Sequence, residues 1–135
     1  MPELLTLAPG VEVVRPDDGT RLRYSGDEVE LVRNFFSLLV FGQNEWAGQP
    51  FVLSAWEEEA IRQFYGVQAL DEDGTWSRYR RYLYEEIPKK NGKSEFAAGL
   101  GLYHLIADGE ARPQVGIFAA DKTNADIIYQ CAKYM

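Results

Sequence analysis

The sequence predicts an α/β protein in which a parallel sheet is joined by crossover helices. Residues 79–87 are rich in aromatic side chains and contain neither Gly nor Pro, as expected of a strand. Residues 96–106 then place apolar side chains at helical spacing. Residues 114–120 form an uninterrupted apolar run between Pro113 and Asp121, which is typical of a strand buried on both faces. Because strand, helix and strand follow in this order, a right-handed parallel crossover is the expected arrangement.

Two helices are predicted ahead of this unit. Residues 1–26 mix Pro and Gly with short apolar pieces and keep no period, so they predict an irregular arm. Asp27 is a suitable N-cap for a first helix, whose apolar residues recur at helical spacing up to Gly42. Ser54 and Glu57 have the spacing of a capping box at the start of a second helix.

The remaining boundaries are marked by Gly and by the C-terminus. The second helix is expected to end at Gly66, and Asp73-Gly74 predicts a turn before the first strand. A last helix is predicted from Thr123 to the C-terminus, with no Gly, Pro or cap to end it. Since a sheet of two strands cannot bury its faces, residues 27–135 are expected to be a truncated part of a larger domain.

Composition restricts the possible classes of function. A chain of 135 residues suffices for one domain, and a net charge of −7 argues against holding duplex DNA by phosphate neutralisation alone. The single Cys131 excludes an internal disulfide framework. No apolar run approaches the roughly 20 residues of a membrane span, and no secretory signal is visible. These features predict a soluble protein of a reducing cytoplasm.

The tripeptide Gly92-Lys93-Ser94 lies between the first predicted strand and the following helix. A phosphate-binding loop needs a glycine that admits close backbone approach, a lysine for the β and γ phosphates and a hydroxyl for Mg²⁺. The three residues meet these needs in that order. The usual pattern has another glycine five positions before Gly92, where this chain has Ile87. A partial P-loop NTPase fold is therefore predicted, against the alternative of a chance Gly-Lys-Ser turn.

Residues 88–94, Pro-Lys-Lys-Asn-Gly-Lys-Ser, resemble the deviant Walker A loop of the large terminase subunits of tailed phages. In that family a basic residue follows the first position of the loop. Residues 50–66 look like the adenine-side motif of the same family, with Leu53 and Trp56 at the family spacing. The resemblance covers residues 27–135, which it identifies as the N-terminal half of the ATPase domain.

The resemblance implies an ATP-driven motor that packages double-stranded DNA into a capsid in the bacterial host cytoplasm. It implies ATP and Mg²⁺ as cofactors, and the portal, the small terminase subunit and a ring oligomer as partners of the full-length protein. Lys93 and Lys89 would act on the transferred phosphoryl group, and Ser94 would hold the metal. The nucleotide contacts implied are Lys90, Asn91, Gly92, Lys93, Ser94, Trp56 and Glu57.

Two positions depart from the adenine-side motif. Ala55 stands where the family has proline, and Glu57 where it has glutamine. An ionised carboxylate can accept a hydrogen bond from adenine N6 but cannot donate one to N7, so adenine selectivity is open. Glu57 also has the alternative role of capping-box partner to Ser54.

The sequence contains only part of what hydrolysis requires. No Asp-Glu pair is recognised after an apolar run, and no nuclease motif is recognised, so the fragment alone is expected to be inactive. Two alternatives to the terminase stay open. One is a nucleotide kinase or GTPase-like protein that uses Asp121 as its Mg²⁺ carboxylate, although Asp121 or Thr123 can equally cap the last helix. The other is a prophage remnant without enzymatic activity.

Overall fold

The computed structural model describes residues 11–135, which divide into two compact units. The described part of the first unit comprises residues 11–33 and 54–85, and the second unit comprises residues 34–53 and 86–135. The elements follow in the order β1 (Glu12–Val14), β2 (Arg21–Tyr24), α1 (Gly26–Ser37), a 3₁₀ helix (Asn44–Trp46), α2 (Ala55–Tyr65), β3 (Val67–Leu70), β4 (Trp76–Arg78), α3 (Lys93–Ile106) and α4 (Lys122–Tyr134).

The sheet belongs to the first unit and is antiparallel throughout, with the strand order β1-β2-β3-β4. Leu22 and Val67 are fully buried on one of its faces, with Ala69 and Tyr79 packed against them. The hairpin between β3 and β4 turns at Asp73-Gly74, as the sequence predicts, and Gly74 has a φ of 82°. A positive φ of this size suits glycine, which has no Cβ to clash with the backbone.

The predicted parallel sheet is wrong. In the predicted strand at residues 79–87, the Tyr79 N–H donates to the Val67 carbonyl of β3, but residues 80–87 form no strand. Residues 114–120 are not in a strand either, and the Phe118 side chain is 93% exposed. Apolar composition shows that a segment favours an extended, buried backbone, but a strand also needs a hydrogen-bonding partner. Among residues 11–135, residues 80–87 and 114–120 pair with no strand.

Strands β1 and β2 lie in the segment for which the sequence predicted only an irregular arm. Residues 1–10 of that arm lie outside the described residues. The hairpin is short, and β2 reads Arg-Leu-Arg-Tyr, with only Leu22 fully buried. Polar contacts accompany it instead: Arg21 of β2 forms an ion pair with Glu12 of β1, and Arg23 reaches across β3 to lie 4.4 Å from the centre of the Trp76 ring in β4. Such pairs cannot be read from a hydrophobic period.

The helix predictions are confirmed to within a few residues, except that α1 ends at Ser37 and not near Gly42. Helix α2 starts with the predicted capping box, in which the Ser54 N–H donates to Glu57 Oε2 over 2.8 Å. Gly66 follows its last residue, as expected. Capping signals are local in sequence, so they survive when the tertiary arrangement differs from the prediction.

Aromatic rings form the core of the second unit. The Phe36 ring is fully buried and lies 5.2 Å from the ring of Phe51 and 5.6 Å from the ring of Phe96. A Cβ added at Gly99 would overlap the Phe36 ring, so α3 can approach Phe36 only with glycine at that position. Tyr103, also in α3, packs edge-on against the ring of Phe35 in α1. This core fixes α3, whose first turn carries the predicted phosphate-binding residues.

Candidate phosphate-binding loop

Residues 88–94 form a tight loop that leads into the N-terminus of α3. Gly92 is the N-cap of the helix and has a left-handed backbone, with φ 81° and ψ 10°. Lys90 also has a positive φ, 66°, which is uncommon for a residue with a side chain. Left-handed residues in such loops turn successive backbone N–H groups toward one concave side, the arrangement called a nest. The loop backbone lies at the N-terminus of α3, the positive end of the helix dipole, where anions are favoured.

The Asn91 side chain holds this backbone shape from inside the loop. Its amide nitrogen donates to the Pro88 carbonyl over 3.0 Å and to the Lys89 carbonyl over 3.4 Å. Both acceptors precede the left-handed Lys90, so the amide ties the first half of the loop together across the turn. Asn91 therefore contributes to the loop as a positioning residue, in addition to its predicted backbone role.

The Lys93 ammonium group folds back over the loop and donates to the Ile87 carbonyl. This contact joins the two ends of the loop. An ammonium group has three N–H donors, and the carbonyl takes one of them. Ser94 is half-buried in the first turn of α3, while Lys89 and Lys90 are exposed. The second unit therefore brings together all the predicted phosphate-loop residues from Lys89 to Ser94.

Trp56 and Glu57 belong to the first unit, in the first turn of α2. Glu57 is 4% exposed, and burial raises the pKa of its carboxyl group against the opposing effect of the hydrogen bonds with Ser54. This confirms the capping role of Glu57. A contact of either residue with a nucleobase stays a prediction.

Asp121 caps α4. Its Oδ1 accepts from the Asn124 backbone N–H over 2.8 Å, and its Oδ2 accepts from the Asn124 side-chain amide over 2.9 Å. Both carboxylate oxygens are therefore engaged by the helix they start. No group of three or more His, Cys, Asp and Glu side chains in residues 11–135 is placed to hold a metal ion. Ser94 remains the metal ligand that the loop predicts.

Two features escaped the sequence analysis. Asp71-Glu72 directly follows β3, whose otherwise apolar sequence contains the polar Gln68. The pair belongs to the exposed hairpin turn of the first unit. Glu95 is only 8% exposed, and its Oε2 accepts from the Gly42 N–H over 3.1 Å. Acidic residues are common in the first turn of a helix, so nothing in the sequence marked Glu95 as buried.

Comparisons with protein-family models, with curated proteins and with solved structures find no match for this chain. The similarity to terminases consequently rests on the residues quoted above. Among the helices of residues 11–135, none has the length and apolar character that crossing a membrane requires.

Proposed function

We propose that this chain is the N-terminal ATPase segment of a phage or prophage terminase large subunit, and that residues 88–94 bind the phosphates of MgATP. The observation that carries the proposal is the loop backbone, in which left-handed Lys90 and Gly92 lead directly into α3. Left-handed conformation costs a residue with a side chain about 1–2 kcal/mol, and such conformations concentrate at ligand-binding segments. The proposal concerns the loop and its helix and does not include a parallel sheet.

Each residue of the loop has a role in this proposal. The backbone N–H groups around Asn91 and Gly92 bind phosphate oxygens, and Lys93 binds the β and γ phosphates with the donors that Ile87 does not take. The Ser94 hydroxyl binds Mg²⁺. The exposed side chains of Lys89 and Lys90, in the first half of the loop, balance the charge of the γ phosphate.

The wider role follows from the resemblance alone. The full-length protein would use ATP to drive double-stranded DNA into a capsid in the bacterial cytoplasm, together with the portal, the small terminase subunit and other copies of itself. The kinase or GTPase-like alternative needs Asp121 on Mg²⁺. At the cap of α4 each Asp121 oxygen accepts one hydrogen bond from Asn124, so a Mg²⁺ ion bound there would have to share these oxygens with the helix cap.

Binding of MgATP to the purified chain, measured by isothermal titration calorimetry, tests the loop assignment. Lys93→Ala removes charge-assisted hydrogen bonds that are each worth about 1.5–3 kcal/mol, so we expect an affinity loss of roughly tenfold to a hundredfold. The matched control is Lys133→Ala, which removes the same charge from an exposed position on α4 of the same unit. An equal loss in both variants would reduce the effect to general charge and contradict the assignment.

A second experiment addresses the terminase assignment separately. Sequencing the gene beyond the codon for Met135 should reveal an apolar strand that ends in Asp-Glu, followed by acidic nuclease motifs. A reading frame that continues into a different catalytic domain would contradict the motor assignment while leaving nucleotide binding intact.

A further inference from the structure

Residues 41–50 form a compact loop in the second unit, which we call the Trp46 loop. It is closed by three backbone hydrogen bonds, from Phe41 N–H to the Gln49 carbonyl, from Gly48 N–H to the Phe41 carbonyl and from Gln49 N–H to the Trp46 carbonyl, over 2.9, 2.8 and 2.9 Å. Its centre is the 3₁₀ helix Asn44–Trp46. A backbone bonded to itself in this way has little freedom to rearrange.

The Trp46 loop is anchored at its base to both helices of the second unit. Glu95 of α3 accepts from the Gly42 N–H, as described above. On the other side, the Gln43 side-chain amide donates to the Ile127 carbonyl of α4 over 3.4 Å. A Cβ at Gly42 would lie 2.6 Å from the Cys131 carbonyl oxygen, so the loop backbone contacts α4 as closely as glycine permits.

This rigid loop presents a large aromatic side chain to solvent. The Trp46 side chain is 54% exposed, although the backbone around it is fixed and Asn44 is held at a φ of 61°. Ordering a loop costs conformational entropy, and a rigid, amphipathic ring is a favourable contact surface because little further freedom is lost on binding. The geometry therefore suits a stacking platform.

The anchor places the base of the Trp46 loop beside the first turn of α3, which directly follows the phosphate-binding loop. Glu95 directly follows Ser94 in the chain, so the Gly42 contact lies in the same helical turn as the predicted phosphate and metal ligands. Trp46 lies four positions after Gly42, and four residue steps span at most about 14 Å. The chain therefore holds Trp46 within this distance of the Gly42 anchor, which lies beside the first turn of α3.

We infer that Trp46 stacks on the base of the nucleotide whose phosphates bind residues 88–94. The inference rests on the proposed function and adds a base-binding residue to it. It assigns this role to a side chain of the same unit as the phosphate loop, whereas the sequence pointed to Trp56 of the other unit. Stacking tolerates different bases, so Trp46 adds affinity for nucleotides in general and needs no hydrogen bond to adenine.

Calorimetric titration with two ligands, MgATP and magnesium tripolyphosphate, tests the inference on the whole chain. Base stacking on an aromatic side chain corresponds to roughly a tenfold to a hundredfold change in affinity. We expect Trp46→Ala to weaken MgATP by about that factor and to leave tripolyphosphate unchanged. Trp46→Phe, which keeps an aromatic face, should retain most of the MgATP affinity. Trp56→Ala is the matched control and should affect the two ligands equally or not at all.

The other outcomes overturn the inference in distinguishable ways. An equal loss of both ligands in Trp46→Ala would show a structural role for the side chain. A loss specific to MgATP in Trp56→Ala but not in Trp46→Ala would move the base to the start of α2. If the wild-type chain binds tripolyphosphate as tightly as MgATP, the base contributes nothing to binding, and the stacking role of Trp46 is excluded. If the wild-type chain binds neither ligand, the proposed function fails and the role of Trp46 fails with it.

Discussion

Cys131 illustrates how burial sets the chemistry of a single residue. It is the chain's one cysteine and its side chain is fully buried in the second unit. Burial raises the pKa of the thiol to about 11, and the nearby charge of Glu95 adds to the effect. Because the nucleophile is the thiolate, a thiol in this environment is inert near neutral pH. Cys131 is accordingly a packing residue beside the base of the Trp46 loop.

Ellman's reagent should therefore react with native Cys131 very slowly at pH 7. A pKa near 11 lowers the thiolate fraction by roughly two orders of magnitude relative to an ordinary cysteine of pKa about 8.5, and burial also blocks access. We expect a rate at least about a hundredfold below that of the same chain in urea, where the single thiol supplies its own reference. Native and unfolded rates within tenfold of each other would contradict this burial.

The start of α2 shows how one element couples stability to pH. Glu57 closes the capping box from a buried position, and burial raises the pKa of its carboxyl group above the ordinary value of 4.5. A raised carboxyl pKa means that the folded chain binds the proton more tightly than the unfolded chain does. The contribution of Glu57 to the free energy of unfolding is therefore greatest below pH 4.5 and declines as pH rises through the folded pKa.

Glu57→Gln should remove this pH dependence while keeping the cap, because glutamine also serves as a capping-box acceptor. As the pH rises from 4 to 7, we expect the free energy of unfolding of the variant to increase relative to that of wild type by about 1 kcal/mol or less. Urea unfolding followed by circular dichroism measures this difference. Ser54→Ala is the comparison, since it deletes the cap and should cost about 0.5–2 kcal/mol. A relative gain for Glu57→Gln toward acid would reverse the sign and contradict the pKa direction.

Helix α3 offers a second element-scale prediction, because two of its glycines have different surroundings. A Cβ at Gly99 would overlap the Phe36 ring, whereas a Cβ at Gly101 would lie 3.4 Å from the Val115 side chain, an ordinary contact. Gly99→Ala should lower the free energy of unfolding by about 1–3 kcal/mol through overpacking. Gly101→Ala should raise it by up to about 1 kcal/mol through helix propensity. Equal effects of the two substitutions on urea unfolding would contradict the packing of α3 on Phe36.

At the scale of the whole molecule, the sequence predicted what local interactions decide. The cap of α2, the turn at Asp73-Gly74 and the start of α4 at Asp121 depend on neighbours in sequence, and each was predicted at or within a residue of its place. The sheet depends on pairing between distant segments, and there the prediction failed. The apolar run at 114–120 has no strand partner in the described residues, while β1 pairs with β2 and the arginine-containing β2 pairs with β3.

The same distinction between local and long-range interactions separates the parts of the candidate site that could be predicted from those that could not. The phosphate-loop residues could be predicted because they are contiguous, from Lys89 to Ser94. The anchor of the Trp46 loop could not, because Glu95 and Gly42 are far apart in the chain and meet only through the packing of α3. No ligand contact was predicted for Trp46 from the sequence. Its exposure on a fixed backbone is a property of the folded unit, which no period or motif encodes.

Turnover by the chain as a whole is the last prediction, and it separates binding from catalysis. Hydrolysis needs a carboxylate on Mg²⁺ and a group that orients water, and charges placed at the transition state are worth about 10³–10⁵ in rate. No group of three or more His, Cys, Asp and Glu side chains in residues 11–135 is placed to hold a metal ion, and Asp121 accepts hydrogen bonds from Asn124 at the cap of α4. We therefore expect the chain of 135 residues to bind MgATP without measurable phosphate release.

Phosphate release is measured with wild type and with Lys93→Ala as the background control. If wild type turns over MgATP and Lys93→Ala does not, a carboxylate of this chain completes the site. Asp121→Asn and Glu72→Gln then distinguish the candidates, because each replaces a carboxylate by an amide of nearly the same shape, and the amide binds Mg²⁺ poorly. Loss in Asp121→Asn, with helix content retained in circular dichroism, would favour the kinase or GTPase-like class. Loss in Glu72→Gln would instead assign the catalytic carboxylate to the turn after β3.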